Sequence, residues 1–248
     1  MIKLDLPNKP IKLTDELIAE LTAKYLSDNE DVWNKTFIKK SVLEFSYNKC
    51  CYTECRLNYE SKYMEVDHFF PKAHFPYDVL TWGNLLPSCK KSNTTKGELN
   101  TKLYPIINPT IDNPKEHLKI IGFRFYEKSE IGRRTIDYTA LNDRQHFVNK
   151  RYQIGIKIIE IIEDIKQNLA DLIVNIENNH QRITRLVNKY KNLLKEADRK
   201  EEFSATVATT ILTDKNNQII INILKGNNFW DIELEELALE INFCSLYE

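Results

Sequence analysis

No stretch of this chain is apolar for anything near the roughly 18 uninterrupted residues that a membrane span needs, so no helical span and no membrane partner are expected. The opening residues, MIKLDLPNKPIKL, lack the continuous apolar core of a signal peptide. A cytoplasmic protein is therefore expected. A dominant charge is lacking too: 35 Lys and Arg face 36 Asp and Glu, a formal net charge of -1. That balance does not advertise nucleic-acid binding, although it leaves room for a local basic patch. Five cysteines, four of them between Cys50 and Cys89, do not make the framework of a secreted disulfide protein. Nothing matches G-x-x-x-x-G-K-[ST], so any dependence on ATP has to come from another chain. There is no internal repeat and no low-complexity tract.

What is present is ordinary for a globular protein: 248 residues, 42% hydrophobic and 29% charged, enough to bury a sizeable core. Residues 1–12 are expected to be irregular, because Pro7 and Pro10 block a helix. Thr14 is expected to cap a helix with Leu17, Ile18, Leu21 and Tyr25 on its apolar face, and a second helix is predicted from Asp31 to Tyr47. Beyond the centre, Pro105, Pro109 and Pro114 break the chain into turns. Leu118–Phe125 and Thr135–Leu141 read as two strands of a hairpin turning near Gly132. A long helix is predicted from Asn142 to about Glu177, with Ile154, Ile158, Ile161, Ile165, Leu169, Leu172 and Ile176 at steps of three or four and Gly155 as a weak spot. Another is predicted over Gln181–Lys200, and a further one over Phe203–Leu212. The close, 226–248, holds Asp231, Glu233, Glu235, Glu236, Glu240 and Glu248 and no basic residue. The expected organisation is N-terminal helices over 1–48, a small β-rich core over 49–103, a hairpin and connection over 104–141, and a helical half over 142–248. The expected fold class is α+β, mostly α-helical.

The chemistry concentrates between Cys50 and Gly97, where four of the five cysteines and two of the five histidines sit. A short strand-like segment, Lys62 to Val66, leads into Asp67-His68. An anionic metal ligand, a neutral imidazole, amide oxygens and nearby cations are what a metal-dependent phosphodiesterase needs. An Asp-His pair alone carries no weight. Here it is followed by Trp82-Gly83-Asn84-Leu85-Leu86-Pro87-Ser88-Cys89 and then by Lys90-Lys91-Ser92-Asn93-Thr94-Thr95-Lys96-Gly97.

With those residues in hand, the stretch over about 50–100 resembles an HNH (His-Me finger) nuclease, a ββα-metal unit. The resemblance implies a catalytic set of Asp67, His68, Asn84 and Asn93. Asp67 and Asn93 would hold one divalent ion, Mg²⁺ or Mn²⁺, which favours oxygen ligands. His68 would be the general base on the attacking water, and Asn84 would brace the connecting loop and the His68 backbone. Lys96, helped by Lys90 and Lys91, is a candidate phosphate contact, since such contacts dominate nucleic-acid affinity; a solvated helix face is the plain alternative. His74 either lines the site or faces solvent.

Many HNH domains carry a structural zinc held by two Cys-x-x-Cys pairs, and this chain departs from that pattern. Cys50-x-x lands on Thr53, and Cys89-x-x lands on Ser92. Four thiols, Cys50, Cys51, Cys55 and Cys89, are near enough in sequence to converge. A Zn²⁺ on Cys51, Cys55 and Cys89 and plain packing of buried thiols both stay open, with packing favoured by the missing partners.

Outside the core, Asn108-Pro109, Asp112-Asn113-Pro114, Glu116-His117-Leu118 and Gly122 form one cluster, and Thr135-Ile136, Leu141-Asn142-Asp143 and Arg151 another. With the helical C-terminal half, they make the chain similar to the HNH subunit of Septu-type anti-phage systems, including retron-linked ones. That resemblance implies an SMC/ABC-like ATPase partner, with the 142–177 helix and the acidic close as docking surfaces or as ordinary cover for the core. Arg144, Arg151 and Lys157, or Arg182, Arg185, Lys189 and Lys200, could extend a nucleic-acid track; acidic neighbours make the second set read as a mixed solvated face. Three functions follow: a nuclease acting on DNA, the same nuclease acting on tRNA or other structured RNA, and a non-catalytic nucleic-acid-binding module.

Overall fold

In the computed structural model, which describes residues 1–57 and 63–247, a two-stranded antiparallel sheet organises the first part of the chain. Its strands are β1 (Met64–His68) and β2 (Leu85–Cys89), with His68 opposite Leu85 and Met64 opposite Cys89. Lys62, the expected first residue of β1, lies outside the described residues. Pro87 cannot donate to a ladder and is tolerated because the sheet has only two strands. The short helix α3 (Lys90–Lys96) follows β2 directly and closes at Gly97, whose φ of 52° is a left-handed value that favours glycine. Two helices precede the sheet. The first, α1 (Asp15–Asp28), starts where Thr14 accepts a hydrogen bond from the Leu17 amide, as its sequence predicts. The second, α2 (Thr36–Glu44), is shorter than predicted, because a single 3₁₀ turn over Val32–Asn34 occupies the start of that segment.

The chain divides into two units: 1–118 with 125–143, and 119–124 with 144–248. The first ends in α4 (Pro114–His117) and α5 (Glu130–Tyr138), separated by strands β3 (Leu118–Ile121) and β4 (Arg124–Glu127) that pair with each other. The hairpin therefore turns at Gly122-Phe123, both at positive φ, and Thr135–Tyr138 is helical rather than a strand. The missed signal is a capping one. Ser129 accepts from the Gly132 amide and Glu130 pairs with Arg133 and Arg134, so the segment starts a helix before β alternation can matter. Gly132 is packed against the His117 carbonyl, 2.0 Å from where a Cβ would lie.

The second unit is helical: α6 (Asn149–Ile173), α7 (Ile176–Lys195), α8 (Ser204–Thr213), α9 (Lys215–Gly226) and α10 (Ile232–Cys244). Ile158, Ile162, Ile165 and Leu169 make the buried stripe of α6. The long helix ends earlier than predicted. Asn175 breaks it by capping α7 through the Asn178 amide. The described residues are mostly helical and include two small antiparallel sheets, a mostly α-helical α+β fold. Among the described residues, no helix is long and apolar enough to cross a membrane.

Gly155 has a purpose that periodicity could not reveal. A Cβ there would lie 2.0 Å from the Phe123 ring, and Phe123 itself sits at φ 68°. Helix propensity alone favours alanine by about 1 kcal/mol. The displaced ring is expected to outweigh that gain, so Gly155→Ala should lower stability by about 1–2 kcal/mol in urea unfolding. A stabilised variant would mean that Phe123 moves aside at no cost.

Three carboxylates of the acidic close are neutralised from within. Lys191 pairs with Asp231 and Glu233, Lys195 with Glu233, and Arg199 forks onto Glu240. These carboxylates cover the unit's own helices; Glu248 lies outside the described residues. The basic sets also differ from a continuous track, since Arg151 is fully buried and Lys189 pairs with Asp164 at 2.5 Å.

Candidate active site and thiol cluster

The sheet and α3 bring Asp67, His68 and Asn93 to one cleft of about 410 Å³, lined also by Trp33, Lys39, Glu65, Lys72 and Glu98. Asp67 and His68 end β1, and Asn93 comes from the middle of α3. Sequence reasoning missed Trp33, Lys39 and Lys72, which come from segments read only as core or loop. Lys72 stands over the Trp33 ring at 4.5 Å from its centroid, a cation–π contact at the cleft wall.

The imidazole of His68 is buried, with Nε2 2.9 Å from the Val79 carbonyl oxygen. A carbonyl only accepts, so Nε2 carries the proton and donates, which leaves Nδ1 as the lone-pair nitrogen. Burial pushes the His68 pKa below its ordinary value near 6.5, against a smaller opposing effect of the Val79 bond. The ring is therefore neutral at pH 7, the form a base needs. The edge of the ring contacts Trp33, with centroids 4.7 Å apart.

Asn84 is buried, and its side chain makes three hydrogen bonds. Its Oδ1 accepts from the Phe70 amide at 2.6 Å, and its Nδ2 donates to the carbonyls of Phe70 and Asp78 at 3.1 and 3.0 Å. It thus ties the chain just after β1 to the loop that carries Val79, the hydrogen-bond partner of His68. His74 faces solvent, with Nε2 3.1 Å from the Glu98 carbonyl.

Asp67 and Asn93 fit a hard divalent ion. Each Asp67 oxygen takes one protein donor, Tyr52 Oη at 2.6 Å on Oδ2 and Lys96 Nζ at 2.8 Å on Oδ1, and a carboxylate oxygen has a second lone pair to offer. The Asn93 Nδ2 donates to Glu65 Oε2 at 2.8 Å, which fixes the amide and keeps Oδ1 as its acceptor. Burial, and then the Asp67 charge, push the Tyr52 phenol well up, so it stays a donor.

Lys96 differs from its expected place. It is 2% exposed, and its ammonium is held by Asp67 and by the His68 carbonyl at 2.7 Å. At the end of α3 its side chain turns into the sheet, so it is not a surface phosphate contact. Lys90 is exposed, Lys91 pairs with Asp143 at 3.2 Å, and among the described residues neither lines the cleft.

The sulfurs of Cys50, Cys55 and Cys89 lie within 4.8 Å of one another, all buried. Cys50 takes the place expected of Cys51, because the turn after Cys50 returns the Cys55 carbonyl to the Cys50 amide at 2.9 Å while the Cys51 amide bonds to Pro87. Thr53 donates to the Cys55 sulfur at 3.3 Å, and the Cys89 thiol bonds to the Ser92 hydroxyl at 3.4 Å. Hydroxyls thus sit where a paired Cys-x-x-Cys would place its second thiols. Hydrogen bonds from the neighbouring thiols hold the Cys50 pKa well below the ordinary thiol value, against its burial.

The residues that carried the Septu resemblance outside the core act as braces. Thr135 Oγ1 accepts from the Ile107 amide, Asp112 accepts from the Asn108 amide, and Asn142 bonds both the amide and the carbonyl of Phe125. Comparison with known proteins gives a relative in Bacillus thuringiensis, the Septu protein PtuB, 40% identical over 237 residues. The match covers 96% of this chain and 92% of the relative. The chain belongs to the PtuB family. No family profile and no solved structure matches it. For this PtuB family member the shared length takes in both units, so the relationship is not confined to the ββα core.

Proposed function

We propose that this PtuB family member is a metal-dependent HNH endonuclease that hydrolyses phosphodiester bonds in DNA as part of a Septu anti-phage defence complex. The observation that carries the reading is the convergence of Asp67, His68 and Asn93 on one cleft, with the proton of His68 committed to Val79. His68 Nδ1 takes the proton from an attacking water, and the Val79 bond holds the ring in the tautomer that leaves Nδ1 free to do so. Asp67 and Asn93 would hold a divalent ion, which when bound would supply stabilisation of the negative charge developing at the phosphate and the leaving oxygen. Lys39 and Lys72 are the cleft's candidate phosphate contacts, with the exposed Lys90 and the paired Lys91 farther out on α3. A separate SMC/ABC-like ATPase chain supplies any nucleotide dependence, since this chain has no P-loop.

Competition between plasmid DNA and total tRNA, with Mg²⁺ or Mn²⁺ present, tests the substrate. Preferential cutting of DNA is expected. Preferential cutting of tRNA would move the reading to RNA, and tight binding of either with no cutting, even beside the ATPase, would favour a binding module.

The thiol cluster supports a structural Zn²⁺ on Cys50, Cys55 and Cys89. Elemental analysis of the purified chain is expected to find about one zinc, lost in Cys50→Ser and kept in Cys51→Ser. No zinc in the unaltered chain would assign the cluster to thiol packing. Loss in Cys51→Ser with retention in Cys50→Ser would restore the Cys51, Cys55 and Cys89 set that the sequence left open.

A further inference from the structure

Asp67 is gripped from two sides by groups that the proposed proton transfer does not use. Tyr52 Oη donates to one carboxylate oxygen at 2.6 Å and Lys96 Nζ to the other at 2.8 Å. Lys96 also donates to the His68 carbonyl at 2.7 Å. The three side chains are almost sealed, with Tyr52 0%, Asp67 2% and Lys96 2% exposed. A lysine is seldom buried so fully, and burial without a partner would be costly. A mere phosphate contact needs neither the burial nor the two acceptors.

We infer that Lys96, with Tyr52 as a neutral second donor, is a positioning residue that locks Asp67 and the His68 backbone and makes the site weak for a free divalent cation, so that ion and phosphate bind together. The inference rests on the reading of Asp67 as a metal ligand. An ammonium 2.8 Å from the carboxylate has already matched its charge. A cation arriving at the same carboxylate therefore meets a nearly neutral pair and feels the ammonium at close range. A phosphate entering the cleft brings the missing negative charge, with Lys72 at the wall to meet it. Ion and nucleic acid then favour each other's binding by the same factor. The device keeps an ion from settling firmly in the absence of substrate.

The test is Mn²⁺ binding to the full chain, followed by the electron paramagnetic resonance signal of the free ion without nucleic acid. Lys96→Met is expected to bind Mn²⁺ about tenfold more tightly than the unaltered chain, because a repelling charge is gone. The double variant Lys96→Met with Asp67→Asn should lose that gain. A non-hydrolysable oligonucleotide should tighten Mn²⁺ binding in the unaltered chain more than in Lys96→Met. Equal or weaker binding by Lys96→Met, with binding still dependent on Asp67, overturns the inference and leaves the nuclease reading standing. Binding that ignores Asp67 in both backgrounds overturns the metal-ligand reading, and the inference with it. Should Lys96→Met fail to fold, Lys96→Gln keeps a donor, deletes the charge and carries the same test. Tyr52→Phe removes no charge and is expected to change the affinity by less than about threefold.

Discussion

Replacing His68 with alanine is expected to slow single-turnover cleavage by about 10²–10⁴-fold and to leave nucleic-acid affinity within about twofold. The geometry separates the two effects. His68 lines the cleft but is buried, with one nitrogen bound to Val79, so in the proposed reading it contributes a lone pair at Nδ1 and little contact surface. In the proposed reading, affinity belongs to Lys39 and Lys72, which line the cleft. The measurement is a single-turnover time course beside a filter-binding isotherm. Cleavage at the unaltered rate would remove His68 as the base. An equal loss of both quantities would point to collapse of the cleft, which circular dichroism detects.

Asn84→Ala is expected to cost about 3 kcal/mol of stability, because three hydrogen bonds disappear and half-buried partners at Phe70 and Asp78 are left without them. Cleavage should fall as well. Val79 follows Asp78 directly, so loosening that loop withdraws the carbonyl that holds His68 in its tautomer. Asn84→Asp sharpens the prediction: it keeps an acceptor for the Phe70 amide but sets a carboxylate against two carbonyl oxygens, so no rescue is expected. Urea unfolding reads the effect as a shifted midpoint with an unchanged slope. A loss below about 1 kcal/mol would mean that water replaces the amide and that the brace is dispensable.

Legibility from sequence followed the reach of the signal in each segment. The β1–β2–α3 unit was visible through the resemblance of the run from Asp67 to Gly97 to an HNH nuclease, and Asp67, His68 and Asn93 of that run line one cleft. Helices with a cap and a stripe, such as α1 under Thr14, were visible for the same local reason. Features that depend on a distant partner were not. Gly155 reads as a flaw until Phe123 is placed beside it. Lys96 reads as a surface cation until the sheet turns it onto Asp67. Cys50 and Cys51 are indistinguishable by type, and only the turn returning Cys55 to Cys50 decides between them. The hairpin near Gly132 failed differently: the Ser129 cap was on the page, and β alternation was read ahead of it.

The central claim is that cleavage requires a divalent ion held by Asp67 beside the base His68. The most direct measurement is cleavage of labelled DNA by chain stripped with a chelator, then titrated with Mg²⁺ or Mn²⁺, in unaltered and Asp67→Asn forms beside the ATPase partner. The account predicts no cutting by the stripped chain, cutting restored by either ion, and no restoration in Asp67→Asn. Cutting in the presence of chelator, or full restoration in Asp67→Asn, would contradict it.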